Sequence, residues 1–286
     1  MTKNKTYSYL IEVMNHLDHL ASLCLPLGED MLKIQAANLD VNYKTDDSPV
    51  TKADLLAHEQ ITKALHSLES DTPVISEEMS DDARAKLCPR PPAYWLVDPL
   101  DGTKEFIRQS PDFTINIARM EMNQPILSII HAPAHKRTFA AALGWGCFER
   151  LATGEWIPVE SNFSPEIRTL FVHSHRDNAE DIQALINLIP NSEAKPCGSS
   201  LKFCLLATGE AHIYVRNKPT MEWDTAAGEL IVKEAGGAMV TNDLTHISYD
   251  RKDFENPRFV AMAGSHSHLQ DVLIGHLNKK TPEDLG

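Results

Sequence analysis

Apolar residues recur at Leu10, Val13, Met14, Leu17, Leu20, Ala21 and Cys24, the three-and-four spacing of an amphipathic helix, with Pro26 and Gly28 placed to end it. A second helix is predicted after Thr51, with Ala57, Ile61, Ala64, Leu65 and Leu68 on one face. Pro73 to Ser76 reads as a short strand, and the polar, proline-rich stretch from Asp81 to Pro92 as a surface loop. Trp95 to Val97 is an apolar run that halts at Asp98, because Pro99 cannot donate to a ladder and holds the residue before it extended. Phe113 to Met120, Ile126 to His131 and Arg137 to Leu143 are β-rich runs joined by short turns such as Asn123-Gln124-Pro125, the pattern of an antiparallel meander.

A boundary is expected between Thr153 and Pro165, where Gly154, Pro158 and Pro165 cluster, dividing the chain into residues 1–160 and 161–286. Beyond it strands and helices alternate: strands at Leu170 to Val172, Ile213 to Val215, Met239-Val240 and Phe259 to Met262, and helices at Ala179 to Leu188, Ser199 to Thr208, from Asp224, and Leu269 to Leu277. The first part is α+β and the second α/β in character.

The chemistry concentrates where the central apolar run stops. Asp98 and Asp101, with the Leu100 carbonyl between them, offer a hard cation several oxygen ligands within one turn. Gly102 permits close backbone approach, and the N–H groups of Gly102, Thr103 and Lys104 can face an anion. Each residue of Asp-Pro-x-Asp-Gly also favours turns for local reasons, so a solvated turn is the rival reading. Other acidic positions have equally ordinary explanations. Asp54 completes a capping box with Thr51, Glu77 and Glu78 form a polar strand end, and Asp224 stands at a helix start. Gly198-Ser199-Ser200 before a helix is either an N-cap or an anion-binding turn. The histidines, His173 and His175 among them, show no metal-ligand spacing.

With 40 acidic against 27 basic residues the formal charge is −13, which disfavours nucleic acid polymers and anionic membranes as partners. A small polyanionic substrate is repelled too, unless divalent cations and a local basic pocket receive it. Five cysteines without a Cys-x-x-Cys pair suit a reducing compartment. Glu12 and Asp18 interrupt any signal-peptide core, and no apolar run reaches the length of a membrane span, so a cytoplasmic protein is expected, with peripheral inner-membrane association left open.

Trp95-Leu96-Val97-Asp98-Pro99-Leu100-Asp101-Gly102-Thr103-Lys104-Glu105-Phe106 resembles the signature of the inositol monophosphatase superfamily of lithium-sensitive, magnesium-dependent phosphatases. Its Gly-Thr-Lys-Glu-Phe ending is more similar to the 3'(2'),5'-bisphosphate nucleotidases of the CysQ type than to the inositol phosphatases. Trp223-Asp224 followed by Thr225, Ala226, Ala227 and Gly228 is similar to the superfamily's second motif, and Gly198-Ser199-Ser200-Leu201-Lys202 to the nucleotide-side motif of the nucleotidases. Matching motifs run from Asp47 to Gly237.

The resemblance implies a layered αβαβα sandwich of the inositol monophosphatase and fructose-1,6-bisphosphatase type. It implies two or three Mg2+ ions: Glu77, Asp98 and the Leu100 carbonyl hold the first, and Asp98, Asp101 and Asp224 the second. Thr103, paired to Asp54, would orient the attacking water, with Glu77 also in the catalytic set. Gly102, Thr103, Lys104, Ser199, Ser200, Lys202 and Asp224 would contact substrate, with Arg216 and Lys218 as further cations. The implied activity is release of the 3'-phosphate of adenosine 3',5'-bisphosphate, with the sulfated nucleotide as a second substrate. Inositol monophosphate hydrolysis and a non-catalytic phosphate or metal sensor are the alternatives, the latter opposed by the completeness of the motif residues. Monomer and homodimer both remain open.

Overall fold

The computed structural model describes residues 3–37, 41–43, 49–161, 168–264 and 269–279. Asp46, Asp47 and Pro165 lie outside this set, as does the side chain of Leu10. The first helix, α1 (Lys3–Ala36), does not end at Pro26 and Gly28 but runs through both. Its buried stripe of Val13, Leu17, Leu20, Ala21, Cys24, Leu27 and Met31 continues on one face past the proline, and that burial outweighs the roughly 3 kcal/mol that a helix-interior proline costs. Gly28 is a packing residue: a Cβ there would fall 2.5 Å from Nε2 of His131.

The short antiparallel pair β1 (Val41–Tyr43) and β2 (Pro49–Thr51) leads into α2 (Lys52–Leu68). Then follow β3 (Val74–Ser76), α3 (Asp81–Ala85), β4 (Ala93–Asp101), α4 (Thr103–Ile107), β5 (Thr114–Glu121), β6 (Gln124–Ala132), β7 (Arg137–Ala142), β8 (Gly146–Arg150) and β9 (Trp156–Val159). Strands β3 to β9 lie in sequence order in one seven-stranded sheet, antiparallel except for the β3–β4 pair.

Two expectations are corrected here. The stretch expected as surface loop is at the surface but carries α3, and the side chain of its Arg90 is buried, with Nη2 2.9 Å from Oε2 of Glu222 and the guanidinium 3.6 Å from the Phe254 ring centroid. Strand β4 does not stop at Asp98: pairing lapses between Asp98↔Asn116 and Asp101↔Thr114, so Pro99 sits in a bulge and the strand reaches Asp101.

The remaining elements are β10 (Thr169–His173), α5 (Ala179–Leu188), β11 (Ser192–Pro196), α6 (Leu201–Ala207), β12 (Ile213–Arg216), α7 (Glu222–Glu234), β13 (Ala238–Thr241), β14 (Phe259–Met262) and α8 (Gln270–Leu277). The second sheet has the order β11-β10-β12-β14-β13, parallel among β11, β10 and β12 and antiparallel at β14. Strand alternation then sorts the core into layers. Trp95, Val97, Ile115 and Ile129 pack against α1 and α2, whereas Tyr94, Leu96, Met120 and Phe139 join Leu201, Phe203, Trp223 and Ile231 of α6 and α7. Tyr214, Phe259 and Ala261 close that central layer from the second sheet, and Ile213, Val215, Val260 and Met262 turn outward to α5 and α8. Helices therefore cover both outer faces and fill the middle, and one buried cluster draws on both sheets. Gly228 brings α7 against α6, since a Cβ there would overlap Phe203 at 2.1 Å.

Candidate active site

The bulge at Pro99 builds the site. It leaves Asp98 buried, with its Oδ1 accepting from the Leu100 N–H at 3.0 Å, and turns Asp101 toward the second half of the chain. Gly102 follows at φ +93°, and a Cβ there would fall 2.9 Å from the Asp112 carbonyl, so the turn needs glycine twice over. Helix α7 starts from the other side and presents Asp224. Oxygen atoms of Asp98, Asp101 and Asp224 come within 4.8 Å of one another.

Burial, then the charges of Glu77, Asp101 and Asp224, hold the Asp98 carboxyl well above its ordinary value. Burial, then Asp101 and Glu77, act likewise on Asp224. Parallel pairing of Ser76 with Val97 sets Glu77 beside Asp98. Carboxylates packed this closely repel one another until a cation is shared, and an all-oxygen donor set suits a hard ion such as Mg2+ over zinc.

Asp54 fills its two expected roles with different oxygens. Oδ2 accepts from the Thr51 N–H at 2.7 Å and lies 2.6 Å from the Thr51 hydroxyl, which caps α2. Oδ1 is 3.1 Å from the Thr103 hydroxyl. That hydroxyl is also 3.2 Å from the Leu100 carbonyl, and its single hydrogen can serve only one acceptor at a time.

The Gly-Ser-Ser turn is largely occupied within the protein. Oδ2 of Asp101 accepts from the Ser200 N–H at 2.6 Å and lies 2.6 Å from the Ser200 hydroxyl, which is itself 2.9 Å from the Asp224 carbonyl. Ser200 thus fixes two of the clustered aspartates relative to each other. Lys202 donates to the carbonyls of Ser199 at 2.6 Å and Cys197 at 3.2 Å, and its ammonium lies 5.0 Å from the Tyr214 ring centroid. Ser199 adopts φ +47° at the pocket wall. Lys104 is exposed, and neither it nor Lys218 lines the pocket.

That pocket, about 550 Å3 and open to solvent, begins at Asp101 and Asp224 and is walled by Arg176, Lys202, Arg216 and Tyr214. Nη2 of Arg216 donates to the Pro219 carbonyl at 3.0 Å, while its buried Nε has no hydrogen-bond partner among the described residues. Sequence reasoning missed Arg176, which stands alone in His173-Ser174-His175-Arg176. The signal available was position, since it follows the carboxyl end of β10 in the parallel part of the sheet, where α/β folds gather ligands. The neighbouring His175 is exposed, and it and His135 lie 3.2 and 3.1 Å from the Asp112 carboxylate, whose Oδ2 also accepts from the Gly198 N–H at 2.9 Å.

The model of the inositol monophosphatase family matches residues 17–281. The chain belongs to the inositol monophosphatase family. It is 37% identical over 246 residues to the 3'(2'),5'-bisphosphate nucleotidase CysQ of Salmonella typhimurium, covering 85% of this chain and 98% of that one. The crystal structure of CysQ from Bacteroides thetaiotaomicron superposes with a TM-score of 0.73 at 31% identity, over 88% of this chain and 97% of that one. An IMPase/NADP phosphatase crystallised with Mg2+ and phosphate shares the fold at 19% identity, with a TM-score of 0.71 over 97% of this chain and 96% of that one. The layered arrangement is accordingly the αβαβα sandwich of the inositol monophosphatase type, and Mg2+ dependence is general to the family.

Proposed function

We propose that this inositol monophosphatase family member is a Mg2+-dependent 3'(2'),5'-bisphosphate nucleotidase that converts adenosine 3',5'-bisphosphate to AMP and phosphate. The observation that carries the reading is the junction of two oppositely charged regions in one pocket. Clustered carboxylates demand divalent cations for one phosphate, and Arg176, Arg216 and Lys202 line the adjoining wall of a protein whose net charge is −13. Inositol monophosphate carries no second phosphate for that wall. The CysQ relatives support the same assignment, and the sulfated form of the nucleotide fits the same two-anion requirement.

In this proposal Asp98, Asp101, Asp224, Glu77 and the Leu100 carbonyl hold Mg2+, which when bound neutralises the phosphoryl oxygens and acidifies the attacking water. The protein's own part is orientation. When the Thr103 hydroxyl donates to Asp54 Oδ1, its oxygen can accept a hydrogen bond from the attacking water and so point the water's lone pair at phosphorus. Burial raises the Asp54 carboxyl against the opposing hydrogen bonds from Thr51, which brings it closer to the range useful for taking up a proton. Ser200 keeps Asp101 from swinging out of the cluster. A cytoplasmic setting goes with the reading, since all five cysteines are free thiols; no described helix is long and apolar enough to cross a membrane.

Arg216 is the better candidate for the second phosphate, since the Lys202 ammonium is engaged by two carbonyls and the buried Arg216 Nε has no hydrogen-bond partner among the described residues. Arg216→Ala is expected to raise KM for adenosine 3',5'-bisphosphate by about 10- to 100-fold, the worth of a charge-assisted hydrogen bond, with a smaller effect on 3'-AMP. Steady-state kinetics on both nucleotides check this. Equal losses on the two would remove Arg216 from recognition of the second phosphate.

A further inference from the structure

Glu105 lies two residues after Thr103 on α4, and only 4% of its side chain is exposed. Neither carboxylate oxygen has a hydrogen-bond partner among the described residues. The Arg176 guanidinium is 3.6 Å from Oε2, outside hydrogen-bond reach, and is itself half-exposed. Behind Glu105 the Gly198 backbone closes the wall, since a Cβ at Gly198 would fall 2.9 Å from Glu105 Cγ. In front of it is the pocket that begins at Asp101 and Asp224.

A buried carboxylate without donors is unfavourable unless something brings them. A phosphate cannot, because it repels the carboxylate and offers only acceptors. A neutral hydroxyl or amino group can. We propose that Glu105 is a specificity-determining residue whose carboxylate accepts a hydrogen bond from the ribose hydroxyl vicinal to the scissile phosphate, a role that rests on the nucleotidase reading above. Glu105 follows Asp101 by a single turn of chain. With the ester phosphate held at Asp101 and Asp224, the hydroxyl on the next ribose carbon is the substrate donor nearest to that turn, while the base projects farther away.

A site with a buried acceptor rejects an analogue that lacks the matching donor, because the acceptor then stays unpaired in the complex. The test compares adenosine 3',5'-bisphosphate with 2'-deoxyadenosine 3',5'-bisphosphate on the Mg2+-loaded wild type, Glu105→Ala and Glu105→Gln. The wild type is expected to prefer the ribonucleotide in kcat/KM on the order of 10²-fold, mainly through KM. Glu105→Ala should bring the ratio near one, and Glu105→Gln, which keeps the volume and one acceptor oxygen, should hold a ratio well above that of Glu105→Ala. If Glu105→Ala does not fold, Glu105→Leu, which keeps the volume without an acceptor, takes its place, and a large ratio that survives it overturns the role. A wild-type ratio near one overturns it by itself, as does a large ratio that survives Glu105→Ala. Failure of the wild type to hydrolyse either nucleotide would instead overturn the nucleotidase reading, and this role with it.

Discussion

Asp98→Asn is expected to lower Mg2+-dependent phosphate release by about 10³-fold or more, since charge stabilisation through a bound cation contributes several kcal/mol and no neighbour can replace this carboxylate. Asp98 is the most enclosed of the three clustered aspartates, and Glu77, Asp101 and Asp224 all repel it. The fold should survive, because asparagine keeps an oxygen that accepts from the Leu100 N–H. Metal-free stability should then move opposite to activity. Burial followed by like charge holds the Asp98 carboxyl well above 3.8, so the folded protein keeps a proton that the unfolded chain releases. Wild-type metal-free stability is accordingly expected to fall as pH rises above about 4. Asparagine does not ionise, so the variant's advantage in metal-free Tm should grow over the same range. Adding Mg2+ should reverse the order of the two melts. Calorimetry of both proteins with and without Mg2+ reads this, and near-normal turnover by the variant would make the Asp98 turn a structural feature only.

Thr103→Ala is expected to reduce kcat by about 10²-fold while Mg2+ affinity stays within a few-fold of wild type, because the hydroxyl orients water and carries no charge. Asp54→Asn should share the kcat loss and add a second effect that Thr103→Ala lacks. Its Oδ2 caps α2 by accepting from the Thr51 N–H, so weakening that cap should cost about 1 kcal/mol, or about 2 °C in Tm. The pair is informative because one carboxylate serves the helix with one oxygen and the site with the other. If metal titration showed a loss of Mg2+ affinity in Thr103→Ala as large as in Asp98→Asn, the hydroxyl would belong to the ligand set.

What could be read from the chain was local. The α2 capping box and the apolar run Trp95 to Val97 are signals within a few residues, and the structure places each as expected. What was misread depended on partners distant in sequence. Pro26 stops an isolated helix, but α1 continues because its far half is buried against the sheet. Strands β9 and β11 carry Pro158 and the polar run Ser192 to Lys195, which look like loop and are tolerated because each strand is a sheet edge. Ser200 and Lys202, expected to contact substrate, do line the pocket, and the fold adds the Asp101 carboxylate and the backbone carbonyls that engage them. Arg176 and Glu105 had no motif reading as a pair. They meet because β10 and α4, 71 residues apart from Glu105 to Arg176, end at the same pocket.

Selection of a bisphosphorylated nucleotide by the cation-lined pocket is measured by phosphate release from the wild-type protein with Mg2+ on adenosine 3',5'-bisphosphate and inositol 1-phosphate side by side. A kcat/KM for the nucleotide at least about 10²-fold higher is the expected result, given the strength of charge-assisted contacts to a second phosphate. Faster turnover of the inositol phosphate would contradict it.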